Sequence, residues 1–337
     1  MSERLIQLRS AKVRRVALVQ EPKLRLLAPK VSSIYELVSA AMGEDVALSE
    51  AARRNATDEH LDYDAIYSGD SEWKILPAID HPEPARCLVS GTGLTHLGSA
   101  SDRQAMHAPS AEEVEALTDS MKMFRTGLVG GQPKPGSIGT PPEWFYKGSG
   151  SMLRAHRELL TVPSYAEDGG EEAEIAGIYV NDAQGQPRRI GMAMGNEFSD
   201  HCFEKQNYLN LASSKLRTCS IGPELVIDPQ FESVTGEVII ERAGRTLWRK
   251  QIRTGEAEMC HSLQNIEHHH FKYETHRQPG DVHVHFFGAD CLSFGEGIRL
   301  ADGDVMRIAF EGFGRPLWNA VRINNEEPKL ISVVAMK

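Results

Sequence analysis

The sequence predicts an α+β protein, with a small α/β unit over residues 1–82 and a β-rich unit over residues 83–337. Three observations support this reading. Short apolar runs bounded by turn residues dominate the chain from Glu143 onward. Helical patterns are few and interspersed among them. Prolines 77, 82 and 84 crowd the stretch "LPAIDHPEPARC", which reads as a linker between the two units. The 337 residues, 41% hydrophobic and 25% charged, are enough for such a pair with a sizeable core.

In the first unit, "RLIQL", "RRVALV" and "LRLLA" are short strands separated by charged turns. "SSIYELVSAAMG" follows as a helix, with Ser32 or Ser33 to cap it and Gly43 to end it. "CLVSG" opens the second unit as a buried strand. "APSAEEVEALTDSMKMF" is an amphipathic helix with a Ser110/Glu113 capping box. "GLVGGQPKPGSIGTPP" reads as a flexible loop, rich in glycine and proline. The strands "EWFYKG", "EIAGIYV", "RRIGMAMG", "ELVI", "GEVIIERAG", "RTLWRKQI", "DVHVHFFG" and "DVMRIAFEG" come next. Only "SDHCFEKQNYLNLASSK" and "MCHSLQNIEHHHFKY" interrupt them with helical pattern. No internal repeat, phosphate-binding loop or dinucleotide fingerprint is present.

Composition excludes several classes of partner. The net charge is −10 and no basic run with interleaved aromatics occurs, so nucleic acid is not expected. No apolar run is long enough for a membrane span. The N-terminus has no signal-peptide core, which makes the cytoplasm the expected location. Five widely spaced cysteines, without a C-x-x-C pair, disfavour zinc and a disulfide framework.

The chemistry centres on "GGEEAEIAGIYV". Strand side chains alternate faces, so Glu172 and Glu174 point the same way at the start of an apolar strand. Two neighbouring carboxylates repel unless a cation lies between them, and a hard ion such as Mg²⁺, Mn²⁺ or Ca²⁺ takes oxygen ligands. The next strand ends in "GNEFSDH", which offers Glu197 as a third carboxylate. Six histidines between His268 and His285 invite a transition-metal reading. Consecutive helical residues point in different directions, so hydrogen bonding inside the fold or lining of a cavity is the expected role. Arg103 offers a planar fork for a substrate carboxylate.

The order of these motifs resembles the fumarylacetoacetate hydrolase superfamily from about Leu88 to Val321. The matching motifs are E-x-E (Glu172, Glu174), N-E (Asn196, Glu197), Lys215, and Gly222–Pro223. Around them, "WFYKG" supplies Lys147, "VHFFGAD" places Gly288 and Ala289 at the family's T-G-T turn, and "ADGDVMRIAFEGFGRPLWN" resembles its closing segment. The resemblance implies a mixed β-roll, a homodimer, a small keto-acid substrate and a divalent metal held by Glu172, Glu174 and Glu197.

The departures narrow the implied activity. Gly93, Thr95, His96, Ser99 and Asp102 occupy the positions of G-x-N-Y-x-x-H-x-x-E, whose His–Glu pair serves C–C hydrolysis in the family. Ser99 replaces the histidine, Asp102 the glutamate, and His96 stands at the tyrosine. A serine there is similar to the sugar-acid, GguC-like branch, which includes 2-keto-3-deoxy-pentonate dehydratases. The resemblance therefore implies a metal-dependent dehydratase in sugar catabolism. In that reading Lys215 or a bound water takes a proton, Ser99 and Asp102 orient the leaving hydroxyl, and Arg103, Lys147, Gly288 and Ala289 bind substrate. The alternatives are a hydrolase, isomerase or decarboxylase of an acylpyruvate-like acid, with His96 restoring the base, and a non-catalytic sugar-acid binder.

Overall fold

The computed structural model describes residues 2–107 and 118–336, except for the side chains of residues 102, 103 and 105–107. The strands in chain order are β1 Arg4–Arg9, β2 Arg14–Gln20, β3 Lys23–Leu27, β4 Ala56–Asp62, β5 Lys74–Ile75, β6 Cys87–Gly91, β7 Phe145–Ser149, β8 Leu153–Arg154 and β9 Leu160–Val162. They continue with β10 Ala173–Asn181, β11 Pro187–Asn196, β12 Cys219–Ile221, β13 Leu225–Val226, β14 Val234–Arg242, β15 Arg245–Thr254, β16 Val282–Phe286, β17 Val305–Phe310 and β18 Leu317–Ile323. The helices are α1 Ile34–Glu44, α2 Leu48–Asn55, α3 Tyr63–Ser68, α4 Leu97–His107, α5 Asp119–Gly130, α6 His201–Gln206, α7 Leu211–Ser214 and α8 Leu263–Phe271. No helix among the described residues is long and apolar enough to cross a membrane.

Two mixed sheets form the α+β architecture. A 13-stranded sheet runs β4-β3-β2-β1-β13-β11-β10-β16-β6-β7, with β5, β8 and β12 attached at its sides. A five-stranded sheet runs β15-β14-β17-β18-β9. The strand β10 explains how they pack. Its alternate residues Ala176, Ile178 and Val180 enter the core beneath α1 and α2. Ile175, on the opposite face, enters a second core with Val238, Ile240, Ile308 and Phe310 of the smaller sheet. A strand buried on both faces reads as an apolar run, as β10 does from Ile175 to Val180.

The strands of the first 80 residues continue the large sheet through pairing of β1 with β13. The proline-rich stretch is packed: Ala78 and Ile79 are fully buried, and Gln7 donates to the Pro77 carbonyl at 2.9 Å. Ser33 caps α1 by accepting from the Glu36 N–H, and the helix runs through Gly43 to a left-handed Asp45. The expected capping box at Ser110 and Glu113 lies outside the described residues. Thr118 caps α5, which absorbs the first four residues of the expected glycine loop, Gly127 to Gly130. Glycine serves close approach there. A Cβ on Gly127 would stand 2.7 Å from His261 Nε2.

A buried carboxylate fastens the N-terminal elements to the turn between β17 and β18. Glu224 accepts from the Tyr63 hydroxyl at 2.7 Å and the Arg315 N–H at 3.1 Å, and pairs with Arg4 at 2.8 Å. Burial pushes its pKa up against the pull of Arg4. Removing one partner of such a group strands the others. Glu224→Ala should therefore lower stability by about 3 kcal/mol in urea unfolding, with Glu224→Gln costing less. An unfolding midpoint unmoved by Glu224→Ala would show that the network contributes nothing.

Candidate metal centre

The centre is built by one hairpin. In the β10–β11 pair, Ala173 lies opposite Asn196 and Glu174 opposite Gly195. The start of one strand thus adjoins the end of the other, and the Glu197 N–H donates to the Glu172 carbonyl at 2.9 Å. The Asn196 side chain fastens the junction, accepting from the N–H groups of Glu172 and Phe198, both at 3.2 Å. Glu172, Glu174 and Glu197 converge, all buried, with one carboxylate oxygen from each within 4.8 Å of the others. Glu171 faces elsewhere and accepts from the N–H and hydroxyl of Ser293 at 2.8 and 2.7 Å.

Two buried lysines partly neutralise the cluster. Lys215 Nζ donates to Glu172 Oε1, to Glu197 Oε2 at 2.5 Å and to Ser199 Oγ at 2.9 Å. It lies 4.8 Å from the centroid of the Phe145 ring. Lys147 Nζ meets Glu197 Oε1 at 2.6 Å and donates to the Phe198 carbonyl. His201 Nε2 faces Glu172 Oε1 at 3.1 Å. Only a glycine at 170 admits that ring, since a Cβ would lie 2.2 Å from its Nδ1.

Three carboxylates face two lysine side chains in a buried site. The effect shows on Glu174, whose pKa rises well above the usual range through burial and then the charges of Glu197 and Glu172. The Gly288 N–H, 2.7 Å from Glu174 Oε2, opposes the shift. Burial lowers the Lys147 pKa although Glu197 supports its charge. For His201, burial acts downward, but the hydrogen bond and charge of Glu172 outweigh it and raise the pKa. All three clustered ligands are hard oxygens, with no sulfur or imidazole among them. This donor set suits a Mg²⁺-, Mn²⁺- or Ca²⁺-type ion.

The other sequence candidates have varied positions. Gly288 commits its N–H to Glu174. Ala289 joins an apolar cluster with Leu292 and Phe294. His96 is buried, with Nδ1 2.8 Å from the Thr95 hydroxyl and Nε2 3.1 Å from the Thr254 hydroxyl. Burial lowers its pKa to about 4. Ser99 donates to the His96 carbonyl of its own helix at 3.3 Å. The side chains of Asp102 and Arg103 lie outside the described part of the structure. Ser199 was missed by sequence reasoning. Its only local signal is a hydroxyl two residues beyond Glu197.

The histidine-rich stretch forms a buried hydrogen-bonded stack. His285 lies 2.8 Å from the Ser90 hydroxyl and 2.7 Å from that of Thr92, and His270 Nε2 lies 3.0 Å from His283 Nδ1. Among the described residues, only the glutamates group tightly enough to hold a metal.

No protein-family model matches the sequence, and no curated protein matches it. Solved structures do share its fold. The 2-keto-3-deoxy-D-arabinonate dehydratase complexed with magnesium and 2,5-dioxopentanoate aligns with a TM-score of 0.70 at 17% identity, covering 96% of this chain and all of that one. Fumarylacetoacetate hydrolase from Exiguobacterium antarcticum gives 0.61 at 16%, again over 96% of this chain and all of that one. For 5-carboxymethyl-2-hydroxymuconate delta-isomerase from Mycobacterium smegmatis the values are 0.54 and 16%, over 95% of this chain and all of that one. The chain thus has the fold of the fumarylacetoacetate hydrolase superfamily. Within it, the likeness extends to 2-keto-3-deoxy-D-arabinonate dehydratase.

The raised Glu174 pKa gives a signed prediction. Above the ordinary value of 4.5 the unfolded chain gives up this proton while the folded chain keeps it. Metal-free stability should therefore fall as pH rises from 4.5 through the folded-state value. Glu174→Gln should remove that fall and also weaken Mg²⁺ binding. Thermal melts in chelator across the pH range, with calorimetric Mg²⁺ titration, check both. Parallel melts for the two proteins, or unchanged Mg²⁺ affinity, would contradict the assignment.

Proposed function

We propose that this chain is a metal-dependent lyase that removes water from a 2-keto-3-deoxy sugar acid. The observation that carries the reading is a buried three-carboxylate centre without the histidine base of a C–C hydrolase. Ser99 stands at that position, and His96 has both ring nitrogens engaged by threonine hydroxyls. A divalent cation bound by Glu172, Glu174 and Glu197 would polarise the 2-keto acid as a Lewis acid and acidify its C3 proton.

The chain's own groups supply the rest. Lys215, which donates to two carboxylates and a serine, holds Glu172 and Glu197 in place. Lys147 touches a single carboxylate, and burial lowers its pKa, so it is assigned the C3 proton. His201 and the Gly288 N–H fix the orientations of Glu172 and Glu174. Elimination breaks the C3–H and C4–O bonds, and the C4 hydroxyl leaves as water on receiving a proton. Ser99 and Asp102 are assigned the leaving hydroxyl, and Arg103 the substrate carboxylate. The dehydratase of the same fold, solved with magnesium and 2,5-dioxopentanoate, supports this reading over the hydrolase.

Turnover of 2-keto-3-deoxy pentonates with Mg²⁺ is the direct assay, with fumarylpyruvate as the contrasting substrate. Losing a general base costs about 10²–10⁴-fold. Lys147→Met should fall by that much with Mg²⁺ binding retained, Lys215→Met should lose Mg²⁺ binding as well, and His96→Ala should cost less than about tenfold. If His96→Ala abolishes turnover and the preferred substrate is an acylpyruvate, the chain is a hydrolase.

A further inference from the structure

A groove of about 1340 Å³ lies away from the carboxylates, between α1, the start of β11 and the loop after β13. Val38, Met42, Ile190, Phe231 and Leu263 give it an apolar floor. Its exposed rim carries Asp45, Asp228 and Glu232. Among the described residues no cation pairs with these three, whereas Arg188 and Arg189 on the same rim are paired with Asp182 and Glu267. One wall is an open strand edge. β11 pairs with β10 along its length but meets β13 only at Met192.

The occupant is suggested by the chain beyond β18. Leu330, Ile331, Val333, Val334 and Met336 are between 82% and 101% exposed. A β-branched apolar run of this kind favours an extended, paired state. Lys329 precedes it, with only a solvent-exposed 4.0 Å contact to Glu326. The run leaves its own groove uncovered.

We propose that the segment Lys329–Met336 of one copy docks into this groove of a second copy as an added strand along Pro187–Gly191. Its apolar side chains cover the floor, Lys329 meets the acidic rim, and its backbone supplies hydrogen bonds to the open edge. The inference is independent of the chemistry proposed for the carboxylate centre.

Zero-length carbodiimide cross-linking of the full chain tests it. Lys329 should link to Asp45, Asp228 or Glu232, identified by mass spectrometry. A Lys329→Gln chain co-expressed with an Asp45→Asn/Asp228→Asn/Glu232→Gln chain should still form the link, because donor and acceptor then lie on different copies. Hydrogen exchange at residues 188–191 should be at least about tenfold faster in a folded Val333→Asp/Val334→Asp variant than in the parent. A link in the parent that disappears in the co-expressed pair would mean that the arm folds back on its own chain, which overturns the proposal. Absence of any link in the parent, or unchanged exchange, also overturns it.

Discussion

The constraint on which the rest of the site depends is mutual repulsion among three buried carboxylates. At the observed spacing of up to 4.8 Å, each pair of charges costs about 3–4 kcal/mol at an effective dielectric constant near 20. The fold answers with groups drawn from distant parts of the chain. Lys147 comes from β7, Lys215 from the turn after α7, and the Gly288 N–H from the turn after β16. The tie between β8 and β12 brings Leu153 beside Cys219. The segments carrying Lys147 and Lys215 are thereby held near one another. Even so, the compensation is incomplete, and Glu174 retains its proton well beyond the usual range.

This explains which parts of the site are legible in the sequence. The glutamates lie on adjacent strands of one hairpin, so alternation along β10 and the end of β11 are enough to bring them together. The lysine contacts span 50 residues for Lys147 and Glu197, and 43 for Lys215 and Glu172. No local periodicity encodes such contacts, and only the order of motifs singled these lysines out. The continuity of β1 with β13 is equally non-local. The glycines of "GLVGG" read as a loop because glycine weakens helices. In the structure they let α5 lie against His261, and packing overrides propensity.

The histidines follow the same logic from the opposite direction. Their density suggests a soft metal. Burial instead pushes the pKa values of His283 and His285 down to about 3, while Ser90 and Thr92 take up both ring nitrogens of His285 and His270 meets Nδ1 of His283. A neutral imidazole is a compact polar filler that can be satisfied inside a sheet. The stack braces β16 against β6 and α8, and β16 runs directly into the turn that serves Glu174.

That turn also connects His96 to the centre. Gly288 has φ +97, and a Cβ there would lie 2.1 Å from the Thr95 hydroxyl. Thr95 Oγ1 donates to the Phe287 carbonyl at 2.7 Å, with His96 Nδ1 2.8 Å away on its other side. Thr254, in turn, is within reach of His96 Nε2. A continuous chain of contacts therefore runs from Thr254 through His96 and Thr95 to the turn whose next N–H holds Glu174. The histidine thus touches the centre only by way of the backbone that positions a carboxylate. Its own contacts are two threonine hydroxyls and no carboxylate of the cluster.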